Sequence, residues 1–237
     1  MRQPIRPSRI MLIHALRESV APIHAAFAEY WPEARTHDLL DSSLSADHAA
    51  AGGVLDAKMM GRFRSLTDYA AMAGPEGGGS DAILFTCSAF APAIEAARRS
   101  HGIPILKPNE GAFAEALGHG GRIGLLVSFA PSLASMADEL KAAGEAVGKP
   151  LTIEARLVEG ALAALQAGRP EEHDALIARA AAALPAVDSI VIGQFSMARA
   201  APAVRAAVPA GLPVLTTPQS AVMALRQRLA SVPVAAG

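Results

Sequence analysis

Short runs of contiguous apolar residues, each closed by Gly, Pro or a polar residue, alternate along this chain with longer Ala-rich stretches whose apolar positions recur at helical spacing. Strands buried on both faces read as unbroken apolar runs, so the alternation predicts strand–helix units around parallel sheets. A first strand is predicted at residues 9–14, a helix at 22–30 and a second strand at 35–40, where His37 and Asp38 weaken the pattern. Residues 50–73 predict a helix whose start is loosened by Gly52 and Gly53. Residues 81–85 give the clearest strand of the first half, because Ile83, Leu84 and Phe85 are contiguous between turn signals. A helix at 91–100 and a strand at 103–106 follow, and Asn109 is placed as the next helix N-cap with Glu110 in its first turn.

The second half repeats this order. A strand at 122–127, a helix at 131–144 and a short strand at 151–155 echo the beginning of the chain. Helices at 157–167 and 171–184 are separated by Gly168-Arg169-Pro170. A strand at 190–192, a helix at 200–207, a strand at 213–215 and a terminal helix at 218–229 complete the copy, with the last residues frayed. The repeat extends to single residues: Asp188 lies 107 positions after Asp81, and Gln194 lies 107 after Cys87. Each copy ends in a matching segment, Gly102-Ile103-Pro104 in one and Gly211-Leu212-Pro213 in the other. The expected fold is α/β, with two pseudo-symmetric lobes that each hold a short parallel sheet flanked by helices. The chain's 237 residues suit two lobes of about 110 residues.

Charge and composition then narrow the function. A net charge of −1, from 21 Lys+Arg against 22 Asp+Glu, gives no electrostatic reason to expect nucleic acid or an anionic membrane as partner. Aromatic residues make up only 4%, which argues against base-stacking platforms. A single cysteine excludes an intrachain disulfide framework and a Cys-rich zinc cluster, and a reducing cytoplasm is the expected compartment. The basic N-terminal residues read as a tail feeding the first strand rather than a signal peptide, and no apolar run approaches the roughly 20 residues of a membrane helix.

Two glycine-rich patches, 74–79 and 118–121, precede strands. Phosphate-cradling loops follow a strand and open a helix, so these patches read as plain loops, and no nucleotide cofactor is expected. The seven histidines show no i, i+4 pairing and no His-Glu-x-x-His, so no metal is expected either.

Ligands of parallel sheets bind beyond the carboxyl ends of the strands. The residues falling there are His14, Thr86, Cys87, Ser88, Ser128, Gln194, Phe195 and Ser196. Cys87 stands at a strand–helix junction, where a helix N-terminus favours the thiolate and the neighbouring hydroxyls can hold a carboxylate. A thiol so placed can exchange a proton with a substrate carbon or attack as a nucleophile. The plainer alternative is a small buried hydrophobe, which is what a lone cysteine usually is. Ser128 and Ser196 can equally be helix N-caps, and His14 a satisfied histidine at a strand end.

A strand ending in Thr86-Cys87-Ser88, a helix, Gly-Ile-Pro, a further strand and a second copy of all this resemble the aspartate/glutamate/hydantoin racemase superfamily, which also contains arylmalonate decarboxylases and maleate isomerases. The resemblance implies two lobes, residues 1–110 plus 217–237 and residues 111–216, with the active site in the cleft between them. It further implies a small carboxylate as substrate, no cofactor, and one cysteine from each lobe at the substrate α-carbon. Position 194 would carry the second cysteine but is Gln. An amide cannot serve as a base near neutrality, although it can donate hydrogen bonds to a carboxylate or enediolate. Cys87 with His14 as the other base would make a racemase or epimerase acting on an amino-acid-type carboxylate. Thr86, Ser88, Ser128, Gln194, Phe195 and Ser196 would then bind substrate. One alternative is a single-cysteine decarboxylase of a malonate-type substrate, resembling arylmalonate decarboxylases, whose cysteine lies in the second copy rather than the first. Another is a small-molecule binding protein that has lost the chemistry. A homo-oligomer is left open.

Overall fold

Each half of the chain builds a four-stranded, all-parallel sheet of the same topology in this computed structural model, which describes residues 7–75 and 78–231. The first half runs β1 (Arg9–His14), α1 (Val20–Tyr30), β2 (Arg35–Leu40), α2 (Ser43–Ala50), α3 (Ala57–Met72), β3 (Ala82–Phe85), α4 (Ala91–Arg98), β4 (Ile105–Leu106) and α5 (Glu110–His119). The second runs β5 (Arg122–Val127), α6 (Pro131–Ala146), β6 (Thr152–Leu157), α7 (Ala161–Gln166), α8 (Pro170–Ala182), β7 (Ser189–Ile192), α9 (Ala201–Ala207), β8 (Val214–Thr216) and α10 (Thr217–Ala230). Strand order is β2-β1-β3-β4 in one sheet and β6-β5-β7-β8 in the other.

The repeated aspartates have a common structural cause. The Arg9 N–H donates to Asp81 Oδ2 at 2.7 Å, and the Asp81 N–H donates to the Arg9 carbonyl at 2.8 Å. Arg122 and Asp188 make the same pair of bonds at 2.8 and 2.7 Å. An Asp before each third strand therefore fixes that strand's register against the first one. The central strands are buried on both faces, which is why they read as unbroken apolar runs.

On one face of the first sheet, Met11, Ile13, Ile83 and Phe85 pack with Phe63 and Phe90. Phe63 lies 5.6 Å from Phe85 and 4.7 Å from Phe90, centroid to centroid. The other face buries Ile10, Leu12 and Leu84 against Ile23 and Phe27 of α1 and Val222 and Leu225 of α10. The last helix thus crosses back to the first sheet.

Several expectations shift. The helix read over 50–73 begins only at Ala57: Gly52 and Gly53, at φ 64° and 83°, turn the chain out of α2, a separate helix over Ser43–Ala50 that the sequence pattern does not predict. Asp56 then caps α3 by accepting from the Met59 N–H at 2.7 Å. Residues 157–160 end β6 and turn, so the helix expected there begins only at Ala161. Asn109 holds the N-cap position of α5 without capping it; its Nδ2 donates to Glu139 Oε2 at 3.0 Å. The tail before the first strand, the frayed end and Glu76 and Gly77 of the first glycine-rich patch lie in part or whole outside the described residues. No helix of the described residues is long and apolar enough to cross a membrane.

Candidate active site

The carboxyl ends of β1, β3, β5 and β7 converge on one small cavity of about 20 Å³. Leu16 and Ser19 reach it from the turn after β1, and Ser45 from α2. Thr86, Cys87 and Ser88 come from the end of β3, Phe129 from the end of β5, and Gln194, Phe195 and Ser196 from the end of β7. None of these side chains carries a formal charge at neutral pH, and Cys87 holds the one ionisable sulfur. Two larger surface grooves, of about 1270 and 740 Å³, include neither Cys87 nor Gln194 among their lining residues.

Cys87 and Gln194 occupy equivalent backbone positions. Cys87 is extended (φ −117°, ψ 123°) and precedes the single 3-10 turn Ser88–Phe90. Gln194 is extended (φ −136°, ψ 144°) and precedes the 3-10 stretch Phe195–Ala200. The repeat therefore brings thiol and amide to the lining of one cavity.

The thiol differs from the expectation of a thiolate. Burial pushes the Cys87 thiol above its ordinary value of 9.0, and this outweighs the Ala89 N–H, the Ser45 hydroxyl and the Ser88 N–H, which pull it down. Ser45 Oγ lies 3.9 Å from the sulfur. One short 3-10 turn supplies too few aligned N–H groups to offset desolvation. Cys87 is a protonated thiol at neutral pH.

The amide of Gln194 is oriented by its partners. Its Oε1 accepts from the Ser128 N–H at 2.7 Å, the Ser128 hydroxyl at 2.8 Å and the Phe129 N–H at 3.1 Å. Three donors converging on one oxygen fix the carbonyl toward β5 and leave Nε2 as the donating end, 3.4 Å from Ser132 Oγ. Ser132 in turn accepts from Ser88 Oγ at 3.3 Å. Ser128 is thus absent from the cavity wall and acts by holding Gln194.

His14 also stands behind the wall. Its ring is fully buried, with Nδ1 2.8 Å from Thr86 Oγ1 and Nε2 2.9 Å from Asp38 Oδ1. Asp38 is shared with His24, whose Nε2 lies 2.9 Å from each carboxylate oxygen. Burial lowers the His14 pKa, and the bond and charge of Asp38 offset this only in part. Leu16, Ser19, Ser45, Phe129 and Asp38 had not been singled out from the sequence. The one available signal was the pair His37-Asp38, which weakens the strand pattern at 35–40. Among the described residues no group of three or more His, Cys, Asp and Glu could hold a metal ion.

The family model for Asp/Glu/hydantoin racemase matches residues 36–225. No curated protein matches the chain. Among solved structures, a glutamate racemase from Bacillus anthracis is similar at 12% identity and a TM-score of 0.72, covering 98% of this chain and 85% of its own. An allantoin racemase from Pseudomonas fluorescens is 15% identical at a TM-score of 0.64, with 94% of this chain and 91% of that one covered. A double mutant of arylmalonate decarboxylase in its liganded form is 17% identical at 0.55, with 96% and 94% covered. These likenesses carry the fold: two pseudo-symmetric α/β lobes. With four-fifths of its length matched by the family model, the chain belongs to the Asp/Glu/hydantoin racemase family.

Proposed function

We propose that this chain is a cofactor-independent, racemase- or epimerase-like isomerase that moves a proton at the α-carbon of a small amino-acid-type carboxylate. The two lobes that close on the cavity are residues 1–110 plus 217–237 and residues 111–216. The observation that carries the proposal is the placement of Cys87, the one ionisable group on the wall of a cavity formed by the strand ends of both sheets. Cys87 exchanges the proton, while Ser88, Ser196 and the Nε2 end of Gln194 stabilise negative charge developing on the substrate carboxylate. Phe129 and Phe195 keep the site dry, which strengthens those bonds. A cavity of this volume holds little more than one water molecule, so the walls part to admit substrate.

A second reading is favoured by one observation, the raised Cys87 thiol. In a single-thiol decarboxylase, loss of carbon dioxide from a malonate leaves an enediolate that needs one proton, and a protonated Cys87 supplies it. Both readings are tested by presenting amino acids, hydantoins and substituted malonates in deuterated water, with NMR of the α-position and chiral chromatography. Interconversion of enantiomers with deuterium incorporation, lost in Cys87→Ala, supports the isomerase. Release of carbon dioxide with one product enantiomer supports the decarboxylase. Tight binding without exchange or turnover would make the protein a binding module instead.

A further inference from the structure

Behind the cavity wall, the first copy buries a polar chain that the second copy does without. Thr86 Oγ1 is 2.8 Å from His14 Nδ1, and His14 Nε2 is 2.9 Å from Asp38. In β-sheet register the counterparts of His14, Asp38 and Thr86 are Val127, Ala155 and Gly193. A Cβ on Gly193 would come within 2.7 Å of Met136 Cε and 2.8 Å of the Leu126 carbonyl oxygen, so that copy has no room for a side chain at the place of Thr86. The fold therefore does not require a polar triplet here. Burying one costs free energy unless every partner is satisfied, and here they are.

Proton positions follow from the partners. Desolvation pushes the Asp38 carboxyl up, but the bonds and charges of His14 and His24 outweigh it, so Asp38 is an acceptor. His14 then carries its hydrogen on Nε2 and offers a lone pair at Nδ1, to which the Thr86 hydroxyl, 2.8 Å away, donates in preference to the Ile13 carbonyl at 3.3 Å. The other hydroxyl near Thr86, on Ser19, donates to the Leu16 carbonyl at 2.6 Å. Hydroxyl, imidazole and carboxylate thus stand in the order that activates a hydroxyl group as a base.

Neighbouring side chains on an extended strand point opposite ways. Thr86 turns toward Ser19 and His14, whereas Cys87 turns toward Ser45 of α2. The two groups thus approach the cavity from different sides.

We propose that Thr86 is the second proton-transferring group of this site, coupled to His14 as base and to Asp38 as the residue that fixes the His14 tautomer. It takes the part that a thiol at position 194 would have played. The assignment rests on the reading of the site as a proton-transfer enzyme. As the substrate α-proton passes to Thr86 Oγ, the Thr86 hydroxyl proton passes to His14 Nδ1 and the C–H electron pair moves into the carboxylate. Cys87 then delivers its proton to the other side of the carbon and becomes a thiolate. The resulting imidazolium and thiolate reset by proton exchange with solvent, which the chain meets at Asp38 and His24, whose side chains are 39% and 37% exposed.

The first test needs no substrate. Nitrogen-15 NMR of the imidazole rings should show His14 as the Nε2–H tautomer at neutral pH, with its Nδ1 resonance displaced in Thr86→Val. An Nδ1–H tautomer would overturn the assignment. The second test resolves exchange by enantiomer. Thr86→Val should lose α-deuterium exchange of one enantiomer by about 100-fold or more, and Cys87→Ala that of the other. Thr86→Ser should recover to within about tenfold of the wild type, and Asp38→Asn should fail on the same enantiomer as Thr86→Val. Equal loss of the same enantiomer in Thr86→Val and Cys87→Ala, or racemisation at the wild-type rate in Thr86→Val, would overturn the role of Thr86 alone. Wild-type protein that exchanges neither enantiomer would overturn the proton-transfer reading and this assignment with it.

Discussion

Replacing Gln194 by alanine removes the acceptor on which three donors converge, the N–H and hydroxyl of Ser128 and the N–H of Phe129. Each such bond contributes about 0.5–1.5 kcal/mol net, and a donor left buried without a partner costs about 1–3 kcal/mol. The Ser128 hydroxyl can rotate to another acceptor and water can reach the part-buried backbone donors, so the sum falls to about 2 kcal/mol. For a chain of this length, that lowers Tm by about 4–8 °C. The emptied donors are suited to an anionic oxygen, so acetate should stabilise the variant. Acetate at ten times its Kd contributes about 1.4 kcal/mol and returns about 3–6 °C. Differential scanning fluorimetry with an acetate series, using chloride as the ionic-strength control, reads both effects. An unchanged Tm in Gln194→Ala, or equal acetate shifts in variant and wild type, would refute the assignment of Gln194 as a bound carbonyl.

Three further outcomes follow from the same geometry. Alkylation of Cys87 by iodoacetamide should be slow near neutrality and rise only above pH 9, because burial holds the thiol above its ordinary 9.0; rapid labelling at neutral pH would show an activated thiolate. As pH falls, the unfolded chain protonates its histidine before folded His14 does, since burial holds the latter below 6.5. The stability His14 contributes is therefore full above about pH 6.5 and lost on acidification, and the loss measured by urea unfolding should flatten in His14→Gln. If the chain decarboxylates an arylmalonate, the product should have the handedness opposite to that from an enzyme whose single cysteine lies in the second copy; the same enantiomer on a chiral column would contradict the pseudo-symmetric placement of Cys87.

The framework was legible because it depends on contiguous apolar runs. The strands at Arg9–His14 and Arg122–Val127 coincide with their apolar patterns to the residue, and the weakly patterned one at Arg35–Leu40 also has the predicted bounds. That the two sheets share one topology followed from the repeat, and the equivalence of Cys87 and Gln194 followed from the common spacing of the two copies. What escaped is what periodicity does not encode. Helix α2 is short and polar, and Ser45 shows its relation to Cys87 only once Gly52 and Gly53 have turned α2 out of line with α3. The thiol's ionisation is not legible in the sequence because its burial comes from a core cluster, including Met11, Ile13 and Phe63, contributed from remote parts of the chain. Asp38 looked like a defect in a weak strand. It is the partner of a buried histidine, and such local breaks in pattern are where function tends to sit.

The central claim, that proton transfer at a substrate carbon depends on the Cys87 sulfur, is tested most directly by enantiomer interconversion in deuterated water. Wild-type protein should convert one enantiomer of a responsive carboxylate into the other with deuterium at the α-carbon, and Cys87→Ala, folded to the same Tm, should not. Interconversion by Cys87→Ala at the wild-type rate would contradict the account.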